Sequence, residues 1–561
     1  MALLKIENLS FTYEGEESRV LDGIDLEIEQ GDFVLLCGAS GCGKTTLLKM
    51  LKKQLRPFGT LQGSISFDGS DLESLDQRRA VSDIGFVMQD PHRQIVTHKV
   101  WHELAFGLES LGEKPSLISR KCAEICSYFG IGDLYNRECA LLSGGQKQLV
   151  CLASVTVLSP RLLLLDEPTS QLDPVSAREF IAHLRQLNEE LGITVIIAEH
   201  RLEELFSIAN KIVLMDKGRI CASGSTDELC ALLGSSHGEH RMYSALPTPV
   251  KLFLALGSKG KCPMNVREGR KFLRDNYENR ITSLEAPQKV KEPKDKPSLE
   301  IKGGYFRYER STPDVLSGVD FKAYEGEFCC IMGANGSGKT TLLNVLAGVR
   351  KLYKGKVSYF KKNANAPRQI SDTVGMLPQD PRSLFIANSV YEELAELCSL
   401  KGLNKNDISD KVNGIAKRLE LTYLFNRHPF DLSGGEAQRL AFAKLLITDP
   451  PIILLDEPTK GLDPFAKEEL ARIIEELTQE GKTVIAVTHD IEFAASYAHR
   501  CAMFFDGQIV SDGESDDFFS RNTYYTTCAH RISNGYYEGC VSLDSLVRLC
   551  RANGKRAVAE K

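Results

Sequence analysis

The stretch Gly38-Ala39-Ser40-Gly41-Cys42-Gly43-Lys44-Thr45 decides the fold. It follows the apolar run 33–37 and leads into the helix-forming run 46–51. A glycine-rich loop between a strand and a helix is typical of a phosphate cradle, because glycines let backbone N–H groups turn toward an anion and the helix adds its positive end. Lys44 is expected to reach the β- and γ-phosphates of a nucleotide, and the Thr45 hydroxyl is expected to ligate Mg²⁺.

The same stretch occurs a second time, as Gly333-Ala334-Asn335-Gly336-Ser337-Gly338-Lys339-Thr340. It follows the apolar run 328–332 and precedes the apolar run 341–343, so its context matches that of the first copy. A single short motif carries a risk of chance occurrence, but two copies in the same strand–loop–helix context do not arise that way. The sequence therefore predicts two nucleotide-binding sites.

The repeated stretch belongs to a tandem duplication. Lys44 and Lys339 stand 295 residues apart, and Asp166 and Asp456 stand 290 residues apart. In each copy strands alternate with helices, which indicates an α/β architecture with a largely parallel sheet. We expect a first domain at 1–235, an extension and charged, proline-rich linker at 236–297, a second domain at 298–520, and a tail at 521–561 without a counterpart in the first half.

The composition fits a globular protein without a nucleic-acid partner. Of the 561 residues 42% are hydrophobic and 26% are charged, and the formal net charge is −6. A dedicated nucleic-acid binder usually carries a basic domain or stripe. No apolar run approaches the length of a membrane span, and the N-terminus does not resemble a signal peptide. The sixteen cysteines lack zinc spacing and are expected to be free core thiols in a reducing compartment.

A pair of acidic residues ends an apolar strand in each half, as Asp166-Glu167 and as Asp456-Glu457. A carboxylate at the tip of a buried strand beside a phosphate loop is suited to holding Mg²⁺, and the adjacent glutamate is placed to polarise an attacking water. Paired acids can also simply cap a strand. Their recurrence near both phosphate loops favours the catalytic interpretation.

A histidine and a glutamine complete the repeated set. His200 and His489 each follow an apolar strand, where a lone histidine is usually structural. Their repetition beyond the Asp-Glu strand favours contact with a γ-phosphate. Gln89 and Gln379 each precede an Asp-Pro pair and are expected to sense Mg²⁺ and the attacking water.

A second anion-binding surface is predicted in each half. Ser143-Gly144-Gly145 and Ser433-Gly434-Gly435 each stand directly before an apolar helix. A serine and two glycines at a helix start offer a hydroxyl and exposed N–H groups to an anion. Each half therefore carries two phosphate-binding surfaces, which need not serve the same nucleotide.

These motifs, in this order, resemble those of the ATP-binding cassette (ABC) ATPases over most of the chain. The resemblance implies two P-loop NTPase domains of the ABC type in tandem, each with a mixed, largely parallel sheet and a helical subdomain. It also implies hydrolysis of ATP to ADP and phosphate, with each ATP held between the phosphate loop of one domain and the serine-glycine signature of the other. Tyr13 and Tyr308 match the family's adenine-stacking aromatic residue, although tyrosine also suits an ordinary strand.

The resemblance assigns roles position by position. The ATP-binding residues would be Tyr13, Gly38, Ser40, Gly41, Gly43, Lys44, Thr45, Thr46, Ser143, Gly144, Gly145, Tyr308, Gly333, Asn335, Gly336, Gly338, Lys339, Thr340, Thr341, Ser433, Gly434 and Gly435. The catalytic residues would be Glu167, Glu457, His200, His489, Gln89 and Gln379. The Mg²⁺ ligands would be Thr45, Gln89, Asp166, Thr340, Gln379 and Asp456.

The region around the first glutamine is similar to that of energy-coupling-factor (ECF) ATPases, which serve vitamin and metal-ion importers. The similarity covers residues 87–96 and 100–109. It implies separate integral membrane subunits, namely a T-component-like subunit and a substrate-binding component. ATP hydrolysis by this chain would drive these subunits. The chain would then lie at the cytoplasmic face of the membrane and touch the membrane only through these partners.

A soluble tandem cassette that acts on the ribosome, like the F-class proteins, is the alternative. The linker of those proteins is typically a long, strongly charged helical segment, whereas residues 286–297 are few and interrupted by prolines. The acidic balance also disfavours an RNA partner. The sequence does not identify a transported solute, because cassette ATPases do not contact it.

Overall fold

The computed structural model describes residues 2–235, 241–258, 260–277, 296–334, 336–360, 370, 372–537 and 539–559. The chain divides into two compact units, Met1–Asn265 and Val266–Lys561. Most of the predicted linker at 286–297 and the predicted ATP-binding residue Asn335 lie outside the described residues.

The first unit is built on two sheets. Its strands are β1 (Ala2–Tyr13), β2 (Leu21–Glu29), β3 (Phe33–Gly38), β4 (Gly59–Phe67), β5 (Ser70–Asp71), β6 (Ile84–Val87), β7 (Leu162–Asp166), β8 (Thr194–Ala198), β9 (Lys211–Asp216) and β10 (Arg219–Gly224). One sheet has the antiparallel order β2-β1-β4-β5, and the other has the order β10-β9-β3-β8-β7-β6. In the second sheet β9, β3, β8, β7 and β6 run parallel, and β10 is an antiparallel edge strand.

The helices of the first unit cover the parallel sheet and form a helical region between β6 and β7. They are α1 (Lys44–Met50), α2 (Gln77–Ser82), α3 (Pro91–Gln94), α4 (Val100–Ser110), α5 (Pro115–Tyr128), α6 (Gly144–Thr156), α7 (Pro174–Leu191), α8 (Thr226–Ser235) and α9 (Thr248–Ala255). All residues of β7 and β8 are buried, as expected for parallel strands covered on both faces. The α/β fold predicted from the sequence is confirmed.

The second unit repeats this plan. Its strands are β11 (Pro297–Phe306), β12 (Leu316–Tyr324), β13 (Phe328–Met332), β14 (Lys354–Tyr359), β15 (Val374–Leu377), β16 (Ile452–Asp456), β17 (Thr483–Val487), β18 (Arg500–Phe505) and β19 (Gln508–Glu514). One sheet has the order β12-β11-β14, and the larger one has the order β15-β16-β17-β13-β18-β19. The larger sheet is again parallel except for its last strand, β19.

The helices of the second unit occupy equivalent places. They are α10 (Val266–Tyr277), α11 (Lys339–Leu346), α12 (Val390–Leu400), α13 (Lys405–Arg418), α14 (Gly434–Thr448), α15 (Pro464–Gln479), α16 (Ile491–Tyr497), α17 (Ser515–Arg521), α18 (Cys528–Ser533) and α19 (Leu543–Ala559). Helix α10, which lies within the range 236–297 predicted as an extension and linker, packs against α18 and α19 and so belongs with the second unit.

The expectation that residues 521–561 lack a counterpart in the first half is wrong. Glu492 follows His489 by three residues, and its carboxylate accepts the backbone N–H of Cys528 at 2.6 Å, where α18 begins. Glu203 follows His200 by three residues, and its carboxylate accepts the backbone N–H of Thr248 at 3.0 Å, where α9 begins. The same acidic anchor therefore attaches a helical extension to each unit. This correspondence was not visible in the sequence, because almost no residues are identical between the two extensions.

The cysteines behave as small core residues. All sixteen are free thiols, and all except Cys221 are buried. None of the described helices combines the length and the hydropathy that crossing a bilayer requires.

The acidic anchor yields a testable prediction. In Glu203→Ala, the backbone N–H and the hydroxyl of Thr248, which both donate to Glu203 at 3.0 Å, lose their acceptor. One such hydrogen bond contributes about 1–1.5 kcal/mol. Amide hydrogen exchange in residues 248–255 should therefore accelerate by about tenfold, as measured by mass spectrometry. Glu124→Ala on the exposed face of α5 is the control, and equal exchange in the two variants would contradict the assigned anchor.

Candidate active site

The predicted site residues converge because parallel strands end at the same edge of the sheet. In the first unit β8 lies between β3 and β7, and Asp166 at the end of β7 pairs in register with Ala198 at the end of β8. The Asp-Glu pair and the histidine segment therefore leave the sheet side by side, next to the phosphate loop. In the second unit Asp456 pairs with Val487 in the same way.

The glycines of the phosphate loop are required by close backbone approaches. A Cβ atom at Gly38 would lie 2.3 Å from the carbonyl oxygen of Met215, and one at Gly333 would lie 2.3 Å from that of Phe504. Gly43, directly before α1, has φ +104°, a left-handed value that disfavours any other residue. A side chain at these positions would collide with the neighbouring strand or strain the turn, so the loop keeps its shape only with glycine there.

The lysine of each loop is buried at the centre of its cradle. The Nζ atom of Lys44 donates to the carbonyl oxygens of Gly38 at 2.9 Å and Ala39 at 3.1 Å. Lys339 donates in the same way to Gly333 at 2.9 Å and to Ala334. Both ammonium groups are therefore held within the turn whose N–H groups would face a phosphate.

A hydroxyl and a carboxylate meet beside each cradle. The Thr45 hydroxyl donates to Asp166 at 2.8 Å, and the Thr340 hydroxyl donates to Asp456 at 3.2 Å. Burial raises the pKa of each aspartate to about 6, against the opposing effect of the threonine hydrogen bond. Hard oxygen ligands of this kind suit Mg²⁺, which would neutralise phosphate charge at this position.

The catalytic glutamate predicted for the first unit contacts both of its predicted neighbours. Glu167 has φ +44°, a backbone conformation that is uncommon outside glycine and that recurs at functional sites. The Nε2 atom of His200 lies 2.7 Å from Oε1 of Glu167, and the side-chain amide of Gln89 donates to Oε2 at 2.8 Å. The structure therefore brings together three residues that the sequence places far apart.

The second unit also brings its glutamate and histidine together, but the two residues meet through different contacts. Glu457 also has a positive φ, +50°, and Nδ1 of His489 lies 2.7 Å from its Oε2 atom. The same oxygen accepts the backbone N–H of His489 at 3.3 Å. Gln379 is exposed, and within the described part of this unit it makes no hydrogen bond to Glu457. The second unit thus brings together the glutamate and the histidine but not the glutamine.

The signature serines begin helices, as predicted. Ser143 caps α6 and Ser433 caps α14, and each forms a capping box with the residue three positions later, Gln146 or Glu436. Ser143, Gly144, Ser433 and Gly434 are exposed. Each helix start therefore presents N–H groups to solvent, where an anion could bind.

The predicted adenine-stacking tyrosines lie next to the phosphate-loop helices. The hydroxyl of Tyr13 is 3.0 Å from that of Thr46, and the hydroxyl of Tyr308 is 3.0 Å from that of Thr341. More than half of the Tyr308 surface is exposed. The two rings are thus fixed at equivalent places in the two units.

Comparisons with known proteins agree with this geometry. The family described as "ABC transporter" matches residues 21–170 and 316–460. A Bacillus cereus protein named as an ABC transporter ATP-binding protein is 39% identical over 95% of both chains. A Streptomyces coelicolor protein of the same description is 34% identical over 92% of this chain and 94% of its own. The chain belongs to the ABC transporter family of ATP-binding proteins.

Among solved structures, cbiO1 from Clostridium perfringens is described as part of the ABC transporter complex cbiONQ. It is 31% identical to this chain, and the match covers 41% of this chain and 91% of cbiO1 with a TM-score of 0.38. Family membership makes this chain an ATPase with two ATP-binding cassettes in tandem. The first cassette lies in the unit Met1–Asn265 and the second in the unit Val266–Lys561.

One residue of the first cassette was missed by the sequence analysis. Glu199 lies directly before His200 and is only 2% exposed, yet its carboxylate contacts the loop that follows Glu167 through Thr169. A comparison of the halves residue by residue could have found it, because the second cassette carries Thr488 at the corresponding position.

The buried aspartates yield a prediction about pH and stability. The pKa of Asp166 is about 6 in the folded state, above the unfolded value of about 3.9. The folded protein therefore holds this proton more tightly, and stability falls as the pH rises through the window from about 4 to about 6. Asp166→Asn should raise the free energy of unfolding by about 1–2 kcal/mol at pH 7.5 and should have almost no effect near pH 4.

Urea denaturation at both pH values, without nucleotide or Mg²⁺, measures this difference. Asp133→Asn is the matched control because Asp133 is exposed. A cassette that becomes less stable at pH 7.5 on replacement of Asp166 would contradict the assigned burial cost.

Proposed function

We propose that this chain is the energy-coupling subunit of an ECF-type importer. It hydrolyses ATP and drives uptake of a vitamin, a metal ion or another small solute through separate membrane subunits, a T-component-like subunit and a substrate-binding component. It would lie at the cytoplasmic face of the membrane and contact the membrane through those partners. The transporter descriptions of its relatives and the similarity of residues 87–96 and 100–109 to ECF ATPases support this proposal.

In the proposed reaction Glu167 accepts a proton from water while the water oxygen bonds to the γ-phosphorus of ATP and the bond to the β-phosphate oxygen breaks. Lys44 and the loop N–H groups hold the phosphates, His200 contacts the γ-phosphate and Gln89 orients the water. Thr45, Gln89 and Asp166 would hold Mg²⁺, which neutralises phosphate charge when bound. Glu457, Lys339, His489, Gln379, Thr340 and Asp456 have the corresponding roles in the second cassette.

We further propose that the signature of one cassette completes the ATP site of the other. The first site would use Ser433, Gly434 and Gly435, and the second would use Ser143, Gly144 and Gly145. The exposed helix starts at these positions support the proposal, because their N–H groups are available to a γ-phosphate. The remaining ATP contacts would come from the phosphate loops and tyrosines of each cassette, at Tyr13, Gly38, Ser40, Gly41, Gly43, Thr46, Tyr308, Gly333, Asn335, Gly336, Gly338 and Thr341.

One observation carries the coupling proposal: a short, anchored segment joins the carboxylate of Glu167 to an exposed apolar side chain. It begins at Gln89, which bonds to Glu167, and continues through α3 to Val96, which is 65% exposed. The carboxylate of Glu103, itself buried, accepts the backbone N–H groups of Val96 and Thr97 at 3.1 and 2.8 Å. The turn is therefore fixed to α4 while its apolar side chain faces outward.

The second cassette has the same anchored turn. Ile386 occupies the place of Val96 and is 77% exposed. The carboxylate of Glu393 accepts the backbone N–H groups of Ile386 and Ala387 and also pairs with Lys444. Exposed apolar residues on a fixed turn are suited to gripping a partner segment. Movement at the glutamine would then be passed to a membrane subunit.

The assigned bases are tested by the double variant Glu167→Gln, Glu457→Gln. Loss of both carboxylates should reduce ATP hydrolysis by a factor of about 10²–10⁴ while ATP remains bound, because glutamine cannot accept the proton. Steady-state phosphate release and equilibrium ATP binding measure the two effects. Undiminished turnover would reject the assigned bases.

The partner is tested by tagging the full chain in cells and purifying it from detergent-solubilised membranes. A multi-span membrane protein should copurify, and its yield should fall by about tenfold in the double variant Val96→Asp, Ile386→Asp, since a buried charge opposes apolar docking. The exposed Val510→Asp in the second unit is the control. Cosedimentation with ribosomes, without any membrane partner, would instead favour a ribosome-associated ATPase.

A further inference from the structure

The two cassettes differ in charge at the signature itself. The residue three positions after the signature serine is Gln146 in the first cassette and Glu436 in the second, and each completes the capping box of its helix. The exposed start of α14 therefore has a carboxylate beside it, whereas the start of α6 has a neutral amide. A negative charge at a surface that is proposed to bind phosphate opposes that binding.

Glu436 holds the side chain of the signature serine. Its Oε2 atom accepts both the backbone N–H of Ser433 at 2.8 Å and the hydroxyl of Ser433 at 2.7 Å. A charged carboxylate has no proton to give, so the hydroxyl is the donor in this contact. Because a serine hydroxyl carries only one proton, Ser433 cannot donate to a phosphate without leaving Glu436.

The first signature leaves its serine hydroxyl available. The Oε1 atom of Gln146 accepts the backbone N–H of Ser143 at 3.0 Å, and the hydroxyl of Ser143 accepts the backbone N–H of Gln146 at 3.3 Å. Among the residues that the structure describes, this hydroxyl donates to no other group. Its proton can therefore be offered to an anion at no cost in existing hydrogen bonds.

Two further residues of the second cassette stabilise the charge of Glu436. The hydroxyl of Tyr423 donates to its Oε1 atom at 3.0 Å, and the guanidinium of Arg439 donates to that hydroxyl at 3.5 Å. Although burial opposes ionisation, the hydrogen bonds from Ser433 and Tyr423 lower the pKa of Glu436 below its usual value. Arg439 also pairs with Glu469 at 3.4 Å, so its charge is shared with a second carboxylate.

The three linked side chains are specific to the second cassette. The residues 290 positions before Tyr423, Glu436 and Arg439 are Asp133, Gln146 and Leu149. The first cassette thus lacks the carboxylate, the phenol that donates to it and the cation behind the phenol. Because all three differ together, Glu436 is part of an arrangement that keeps a charge at the second signature.

We propose that Glu436 is a positioning residue that holds the Ser433 hydroxyl away from nucleotide, so that the second signature binds a γ-phosphate more weakly than the first. The ATP site at Lys44, which Ser433 would complete, should then prefer ATP over ADP less strongly than the site at Lys339. The inference rests on the proposed exchange of signatures between the cassettes. It deepens that proposal by assigning different phosphate affinities to the two signatures.

The test measures each site alone in the full-length chain, with Glu167→Gln and Glu457→Gln present to prevent turnover. Adding Lys339→Ala leaves the first site, and adding Lys44→Ala leaves the second. Equilibrium titration gives the dissociation constants of Mg-ATP and Mg-ADP, and their ratio reports on contacts to the γ-phosphate because ADP lacks it. We expect the preference for ATP to be about tenfold smaller at the first site, the effect of one charge-assisted hydrogen bond that must be broken.

Exchanging the two residues should exchange the preferences. At the first site Glu436→Gln should strengthen ATP binding about tenfold and change ADP binding by less than about twofold, because glutamine keeps an acceptor for the Ser433 N–H and removes the charge. At the second site Gln146→Glu should weaken ATP binding by a similar factor. Glu396→Gln on the exposed face of α12 removes a charge from the same cassette and is the control.

The outcomes separate this inference from the proposed function. Equal changes in ATP and ADP affinity in Glu436→Gln, or no change in either, would overturn the positioning role of Glu436. Ser433→Trp blocks the helix start altogether, and an unchanged ATP preference of the first site in that variant would overturn the proposed exchange of signatures. Loss of the preference in Ser433→Trp without any effect of Glu436→Gln would reject the role of Glu436 alone.

Discussion

The parallel pairing of β3, β7 and β8 is the constraint on which the first active site depends. It places the phosphate loop, the Asp166-Glu167 pair and the Glu199-His200 pair at one edge of the sheet, where burial and close backbone approach act together. The carbonyl oxygen of Met215 leaves no room for a side chain at residue 38, and burial raises the pKa of Asp166 to about 6. A cationic phosphate cradle and a buried carboxylate therefore lie side by side, and a divalent cation would offset the cost of burying the carboxylate charge.

Because the chain contains two copies of the cassette, equivalent elements of the two copies can be compared directly. The threonine–aspartate hydrogen bond and the glutamate with a positive φ recur in both cassettes. Elements that differ identify what each cassette has been free to change. The buried position occupied by Glu199 or Thr488 is the clearest case, because it alters which carboxylate accepts the N–H of the histidine.

Much of the fold and site could be predicted because periodic apolar strands and glycine loops are local signals. Asp166, Glu167 and His200 were predicted as site residues because each follows an apolar strand and recurs in the second half, and the structure places them at the ends of β7 and β8. Glu199 was not identified, since its importance comes from hydrogen bonds to Thr169, thirty residues earlier in the chain. The repeated helical extension was missed for a similar reason. Glu203 and Glu492 each accept a backbone N–H group of the extension, and a contact with the backbone does not require a particular side chain there.

We expect each of the two phosphate loops to bind its own nucleotide. Equilibrium titration of Mg-ATP into the full chain, with both catalytic glutamates replaced by glutamine to prevent turnover, measures this directly. Two ATP molecules per chain are expected, and one after the further change Lys339→Ala, since that loop would lose its central cation. A single ATP per chain before that change, with no loss after it, would show that the second loop does not bind a nucleotide of its own.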